Sequence, residues 1–186
     1  MAKSRNSEKI RKITYIAILT ALVYTLQAIS PLIKLSINSV ALGIVPVIVG
    51  AAMYGPLCGM WLGLVFSAAT FTTDIAAISP FLQENWPIAI VTIIFKIVVA
   101  AALCGLVYKL IARKNEIVAA IVASIVAPVV NTAIYVIFAL IFFSEIVGGV
   151  AVVGVFVLPN VIVEFLMCPI LAPALIRVAL AFKRLK

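Results

Sequence analysis

The sequence contains no histidine. That removes the usual general base, the commonest metal ligand and the one side chain that titrates near neutral pH. Charge is scarce as well: Asp, Glu, Lys and Arg make up 11% of the 186 residues. Cysteine occurs three times, at Cys58, Cys104 and Cys168, always inside apolar runs and at no metal-like spacing. Packing is the better reading for all three, and no metal is expected. The chain has no GxxxxGKS/T phosphate loop, so it does not bind and split ATP by that route, and neither HExxH nor GxSxG occurs. No nucleophile and base fall together in one plausible site, which argues against an intramembrane enzyme. Accordingly no catalytic residue and no cofactor are expected.

What the chain has in abundance is apolar surface. Hydrophobic residues are 66% of it, and mean hydropathy is +1.34. No soluble domain of this size needs so much, so composition points to an all-α membrane protein with one domain over residues 1–186. The net charge of +8 raises nucleic acid as a partner. The basic residues, however, sit at the ends of apolar spans, as membrane-flanking charges do, and no nucleic acid is expected.

Six spans are predicted, over about residues 13–30, 39–54, 57–72, 86–111, 116–143 and 152–182. The first follows a basic stretch and imitates a signal peptide, but no small-x-small cleavage site follows, so it reads as a retained helix. Gly55-Pro56 marks a tight turn, and Thr73 to Asn85, broken by Pro80, reads as a polar loop. Orientation follows from counting. With the N-terminus inside, Lys3, Arg5, Lys9, Arg11, Lys12, Lys109, Arg113, Lys114, Arg177, Lys183, Arg184 and Lys186 all fall on the cytoplasmic side. Asp74, Glu84 and Glu145 fall outside. The positive-inside rule then puts both termini in the cytoplasm. No internal repeat is visible, which weakens an inverted-repeat transporter reading.

Of the two remaining basic residues, Lys34 lies in an outer connection, whereas Lys96 sits mid-span in WPIAIVTIIFKIVVAAALCGLVYK. A charged amine at that depth costs about 2.5–3.5 kcal/mol on insertion scales and is kept where it faces a partner, a cavity or a ligand. Three further buried polar residues are expected: Asn131, Asn160 and Glu164. At about 1.5 Å per helical residue, Lys96 lies about 15 Å below the outer end of its span, Asn160 and Glu164 about 12–18 Å below theirs, and Asn131 about 22 Å above the inner end of its own. All four fall between the midplane and the outer third, which suggests one shared cavity. Asn160 and Glu164 are four apart and share a helix face. Pro128 and Pro159 stand beside the polar residues, where kinks let backbone carbonyls reach a ligand. Two readings stay open. Lys96 and Glu164 neutralise each other while the asparagines bridge helices, at about 0.6–2 kcal/mol each, or the set binds a polar solute. Tyr135 lies one turn above Asn131 and is placed to line the upper cavity. Trp86 and Phe81 stand at the outer mouth, as interfacial anchors or as a lid. Lys34 lies at the same surface.

Small residues mark close helix contacts: Ala17 and Ala21 on the first helix, and Gly55, Gly59 and Gly63 leading into the third. Six short spans, both termini inside, the A-x-x-x-A of Ala17 and Ala21, and a compact polar cavity toward the outside resemble the substrate-binding S components of energy-coupling factor (ECF) transporters. The stretches VPVIVGAAMYGPLCGMWLGLVF and IVAPVVNTAIY look like segments common in that superfamily. The likeness covers nearly the whole chain, and the A-x-x-x-A is unspecific by itself. The resemblance implies a prokaryotic plasma-membrane protein that binds one vitamin from outside. It also implies docking through the first helix, here Ala17 and Ala21, onto a transmembrane scaffold subunit driven by two cytoplasmic ATPase subunits. The pocket would use the first outer loop and helices 4 to 6, where Lys96, Asn131, Asn160, Glu164, Tyr135, Trp86 and Lys34 fall. The segments look most like pantothenate-type S components. Cobalamin needs a wider mouth, and riboflavin prefers more aromatic stacking. The rival classes are a stand-alone small-solute carrier, which needs a continuous polar path, and a structural or assembly subunit, which binds no small molecule.

Overall fold

The computed structural model describes residues 2–33, 39–148 and 150–184. Its helices are α1 (Ala2–Ile29), α2 (Ile44–Tyr54), α3 (Pro56–Thr73), α4 (Ile75–Ile111), α5 (Glu116–Phe142), the short α6 (Ser144–Val147) and α7 (Val150–Arg184), with a 3-10 turn at Ser30–Leu32 after α1. Five of them, α1, α3, α4, α5 and α7, are long and apolar enough to cross a membrane.

The second expected span differs. It begins at Ile44 rather than Ser39, and its 11 residues rise only about 16 Å, roughly half of a bilayer's hydrocarbon core. Every residue from Ile44 to Ala52 is buried. A helix that is hydrophobic on all sides belongs inside a bundle, not on its surface, and α2 is the helix around which α3, α4, α5 and α7 pack. The residues before it, Ser39 to Gly43, are not helical, although Val40, Ala41 and Gly43 are buried. Irregular backbone at membrane depth survives only where protein satisfies its polar groups. Here it does: Ala41 N–H donates to Glu164 Oε1 at 3.0 Å and Leu42 N–H donates to Ser30 Oγ at 3.2 Å.

The turn from α2 to α3 is the one the Gly55-Pro56 pair predicts. Gly55 has φ 90°, a conformation that costs glycine nothing, and Pro56 opens α3 where its missing N–H is no loss. Beyond the turn, α3 lies on α4 with almost nothing between the backbones. A Cβ on Gly59 would come within 2.9 Å of the Ala101 carbonyl oxygen, and one on Gly105 of α4 within 2.9 Å of the Pro56 backbone. Lipid tails are as apolar as leucine, so such close packing, rather than water expulsion, holds helices together here.

The segment expected as a loop, Thr73 to Asn85, is instead mostly helix. α4 starts at Ile75 and runs on, interrupted at Asn85, whose φ −152° and ψ 86° are not helical. The proline that suggested a loop is accommodated. Pro80 has no N–H for the Ala76 carbonyl, and Ser79 Oγ donates to that carbonyl instead, at 3.2 Å. The expected helix start at Trp86 coincides with the interruption. Asn85 Oδ1 accepts the Ile88 N–H at 3.4 Å, in the manner of an N-cap. At the opposite end of the bundle Asn115 caps α5 by accepting from the Ile117 and Val118 N–H groups.

Candidate functional site

Between α2 and the end of the bundle where α3 finishes lies a cavity of about 110 Å³. A water needs about 10–15 Å³ of such space, so this is room for several. Its walls come from Gln27 of α1, the Ser39–Ala41 segment, the last turns of α3 (Phe66, Thr70), both parts of α4, α5, Phe143 and α7. The interruption at Asn85 is what lets α4 contribute twice. Its first part supplies Ala77, Ile78 and Phe81, and its second part supplies Ala89, Thr92, Ile93 and Lys96.

Lys96 stands with its Nζ 4.8 Å from the centroid of the Tyr135 ring, a cation–π distance. The charges acting on it are those of Glu164 and Asp74. Among the described residues no ion pair joins Lys96 to either. Glu164 turns one oxygen to the Ala41 N–H, and Asp74 Oδ2 accepts from Ser39 Oγ at 2.6 Å. The sealed Lys96–Glu164 pair left open by the sequence is therefore not what this arrangement contains. The ammonium has an aromatic face on one side and open space beside it.

Among the described residues, Asp74 Oδ1 and Asn131 Oδ1 in the wall have no hydrogen-bond donor. Both side chains are 6% exposed. A buried acceptor without a donor costs free energy comparable to a lost hydrogen bond, so such atoms mark where water or a solute completes the site.

The structure brings Lys96, Asn131, Asn160, Glu164 and Tyr135 into one wall, together with Phe81. Phe81 packs edge-on against Phe143 at 5.2 Å between centroids and Tyr135 at 6.3 Å. Trp86 is not in the wall; it is 65% exposed at the outer surface of the bundle. Lys34 lies outside the described residues. Sequence reasoning passed over Asp74, Ser39, Gln27, Thr70, Thr92 and Phe143, all of which line the cavity. For Asp74 a signal existed: an Asp directly before the apolar run Ile75-Ala-Ala-Ile is a helix-start pattern.

A second feature lies on the outside of the bundle. Ala17 and Ala21 are exposed on α1 and line a shallow groove with Ile13, Thr20, Tyr24 and, from α3, Trp61. The two helices are tied beside it by Trp61 Nε1–H donating to Thr20 Oγ1 at 3.3 Å and by a 3.1 Å bond between the Tyr24 and Thr72 hydroxyls.

The family model for the ECF transporter substrate-specific component matches residues 11–176. The chain belongs to that family. It matches no curated protein and no solved structure. The matched span takes in α1 from Arg11 onward and every residue of the cavity wall, from Gln27 to Glu164. As an ECF substrate-specific component the protein is a multi-pass membrane subunit of an importer, and its part in transport is to bind substrate. The family is that of a transporter's substrate-binding component rather than of an enzyme. The polar space around Lys96 is the candidate substrate site, because it combines a charged amine with acceptors that have no donor among the described residues.

Proposed function

We propose that this ECF substrate-specific component captures a water-soluble vitamin in the Lys96 cavity from the outer side of a prokaryotic plasma membrane. In this reading both termini are cytoplasmic, and Ala17 and Ala21 dock on a transmembrane scaffold carrying two ATPase subunits. Pantothenate is the first candidate, because its carboxylate suits Lys96 and its hydroxyls suit Asn131 and Asn160; cobalamin and riboflavin follow. Lys96, Asn131, Asn160, Glu164 and Tyr135 are the proposed contacts. Trp86 and Lys34 are proposed only as parts of the mouth.

The observation that carries this reading is the position of Lys96. Its ammonium stands over the Tyr135 ring in a cavity wall, with no carboxylate in ion-pair contact among the described residues. An intramembrane amine kept in that way calls for a ligand. Below it the core is apolar, with Ile97, Ala101, Cys104, Cys168 and Ala172 all buried, which supports capture over conduction.

Two measurements test the proposal. Mass spectrometry of the purified protein is expected to find a vitamin-sized molecule released on denaturation. Titration calorimetry with pantothenate is expected to give binding that Lys96→Ala weakens at least tenfold, about 1.4 kcal/mol. Unchanged affinity in that variant removes Lys96 from the site.

A further inference from the structure

The cavity wall holds more carboxylates than amines. Lys96 is its one cationic side chain among the described residues, whereas Asp74 and Glu164 both bring carboxylates. Hydrogen bonds within the protein use only part of this acceptor capacity. Glu164 takes the Ala41 N–H, and Asp74 Oδ2 takes the Ser39 hydroxyl. Among the described residues Asp74 Oδ1 and Asn131 Oδ1 are left with no donor, and both residues are more than nine-tenths buried. An amide or carboxylate oxygen in such a place is matched only by an N–H or O–H group. Two of the wall hydroxyls are engaged elsewhere: Thr70 Oγ1 donates to the Phe66 carbonyl at 3.0 Å and Thr92 Oγ1 to the Ile88 carbonyl at 2.7 Å.

We infer that Asp74 is a specificity-determining residue and that, together with Asn131, it selects a solute bearing at least two N–H or O–H donors in addition to the anionic or acceptor group that Lys96 receives. This rests on the capture of a vitamin in the Lys96 cavity and narrows it. A simple organic anion satisfies the ammonium but brings no donor of its own to the two buried oxygens. A site built around hydrogen bonds rejects a ligand that lacks their partners far more strongly than an apolar pocket rejects a missing methylene. Asp74 also has a second task. Through Oδ2 and Ser39 it fixes the non-helical segment that leads into α2, so the residue that reads the donor also holds one wall of the cavity in place.

The test uses the full-length protein in lipid nanodiscs and calorimetry with two groups of compounds. Pantothenate and biotin carry a carboxylate and N–H or O–H donors; nicotinate and lipoate carry a carboxylate and no further donor. Binding is expected within the first group, at least about a hundredfold tighter than in the second, the scale set by two unmatched buried acceptors. Equal or tighter binding of nicotinate or lipoate overturns the inference while leaving vitamin capture standing. Binding of none of the four, nor of riboflavin or cobalamin, removes the capture reading, and this one with it. Two variants then separate the tasks of Asp74. Ser39→Ala breaks the tie to the segment but keeps Oδ1, and is expected to cost clearly less affinity for the bound compound than Asp74→Ala. Asp74→Ala removes both and is expected to weaken it by at least about tenfold. Equal losses in the two variants mean that Asp74 acts only on the segment, and overturn its role in reading the solute. The compound panel needs only the unaltered protein, so it decides the matter even where Asp74→Ala fails to fold.

Discussion

Glu164 holds the chain at the point where it is not helical. The residue looked like the natural counter-ion of Lys96, because a carboxylate and an amine at one depth in a membrane attract each other strongly. Its oxygen instead receives the Ala41 N–H, a group 123 positions away in sequence and invisible to any reading of helix faces. Glu164→Ala leaves that buried N–H without an acceptor and is expected to lower unfolding stability in detergent by about 1–3 kcal/mol. Glu164→Gln keeps an oxygen in place and is expected to retain most of it. Thermal denaturation followed by tryptophan fluorescence checks both, and equal losses would show that charge rather than the hydrogen bond matters. Gly59 gives a complementary case. An added methyl would lie 2.7 Å from the Ala51 Cβ and 2.9 Å from the Ala101 carbonyl oxygen, so Gly59→Ala is expected to destabilise by about 1–3 kcal/mol through overpacking. The same melting measurement tests it; an unchanged midpoint would mean that α3 moves away from α4 without penalty. Here sequence reasoning was well placed, since small residues at i, i+4 spacing announce a close contact without any knowledge of the partner helix. Asp74 shows the opposite. Charge, proline and asparagine crowd together after Thr73 and read as a polar loop, and the one contrary mark, an Asp directly before Ile75, announces a helix start but not that the helix lines a cavity.

At the scale of elements, the legible features were those written in local chemistry. The glycine–proline turn and the helix beginning at Trp86 follow from backbone preferences of one or two residues, and both occur where expected, the second as the Asn85 interruption. The length of α2 was not legible. Ser39 to Gly43 is as apolar as many helices, and what stops it from being one is the pair of acceptors offered by Glu164 and Ser30, long-range partners that the fold supplies. Helix α1 differs from the other long helices in how little of it is covered. Val23 and Gln27 are buried, whereas Ala17 and Ala21 face outward beside Trp61. An exposed small-residue face on an otherwise lipid-facing helix suits a second transmembrane partner that approaches closely. Replacing Ala17 or Ala21 by Trp is therefore expected to abolish uptake by the assembled transporter and to leave solute binding by the isolated subunit unchanged. Binding lost together with uptake would show that α1 shapes the cavity rather than the docking face.

The whole molecule has a polar end and a sealed end. The cavity collects Lys96, Asp74, Asn131, Asn160 and Glu164 around one space, and the helices converge beneath it on Ile97, Ala101, Cys104, Cys168 and Ala172, all buried. A solute carrying a carboxylate would have to pass that apolar zone as a desolvated ion, at a cost of several kcal/mol or more. No rearrangement of a few side chains removes such a barrier, because the residues that form it have no polar atoms in their side chains apart from the thiols. In the proposed capture reading, release of a solute on the other side needs a movement larger than a side-chain flip. Vesicles reconstituted with this chain alone are thus expected to bind labelled solute to at most one molecule per chain, without time-dependent accumulation in the lumen. Accumulation beyond that stoichiometry, collapsed by an ionophore, would mean that the apolar zone opens on its own and that the subunit is a carrier in its own right. Retention of bound solute until a scaffold and its ATPases are added would instead locate the work outside this chain, which is what a cavity closed at one end by packed alanine, isoleucine and cysteine requires.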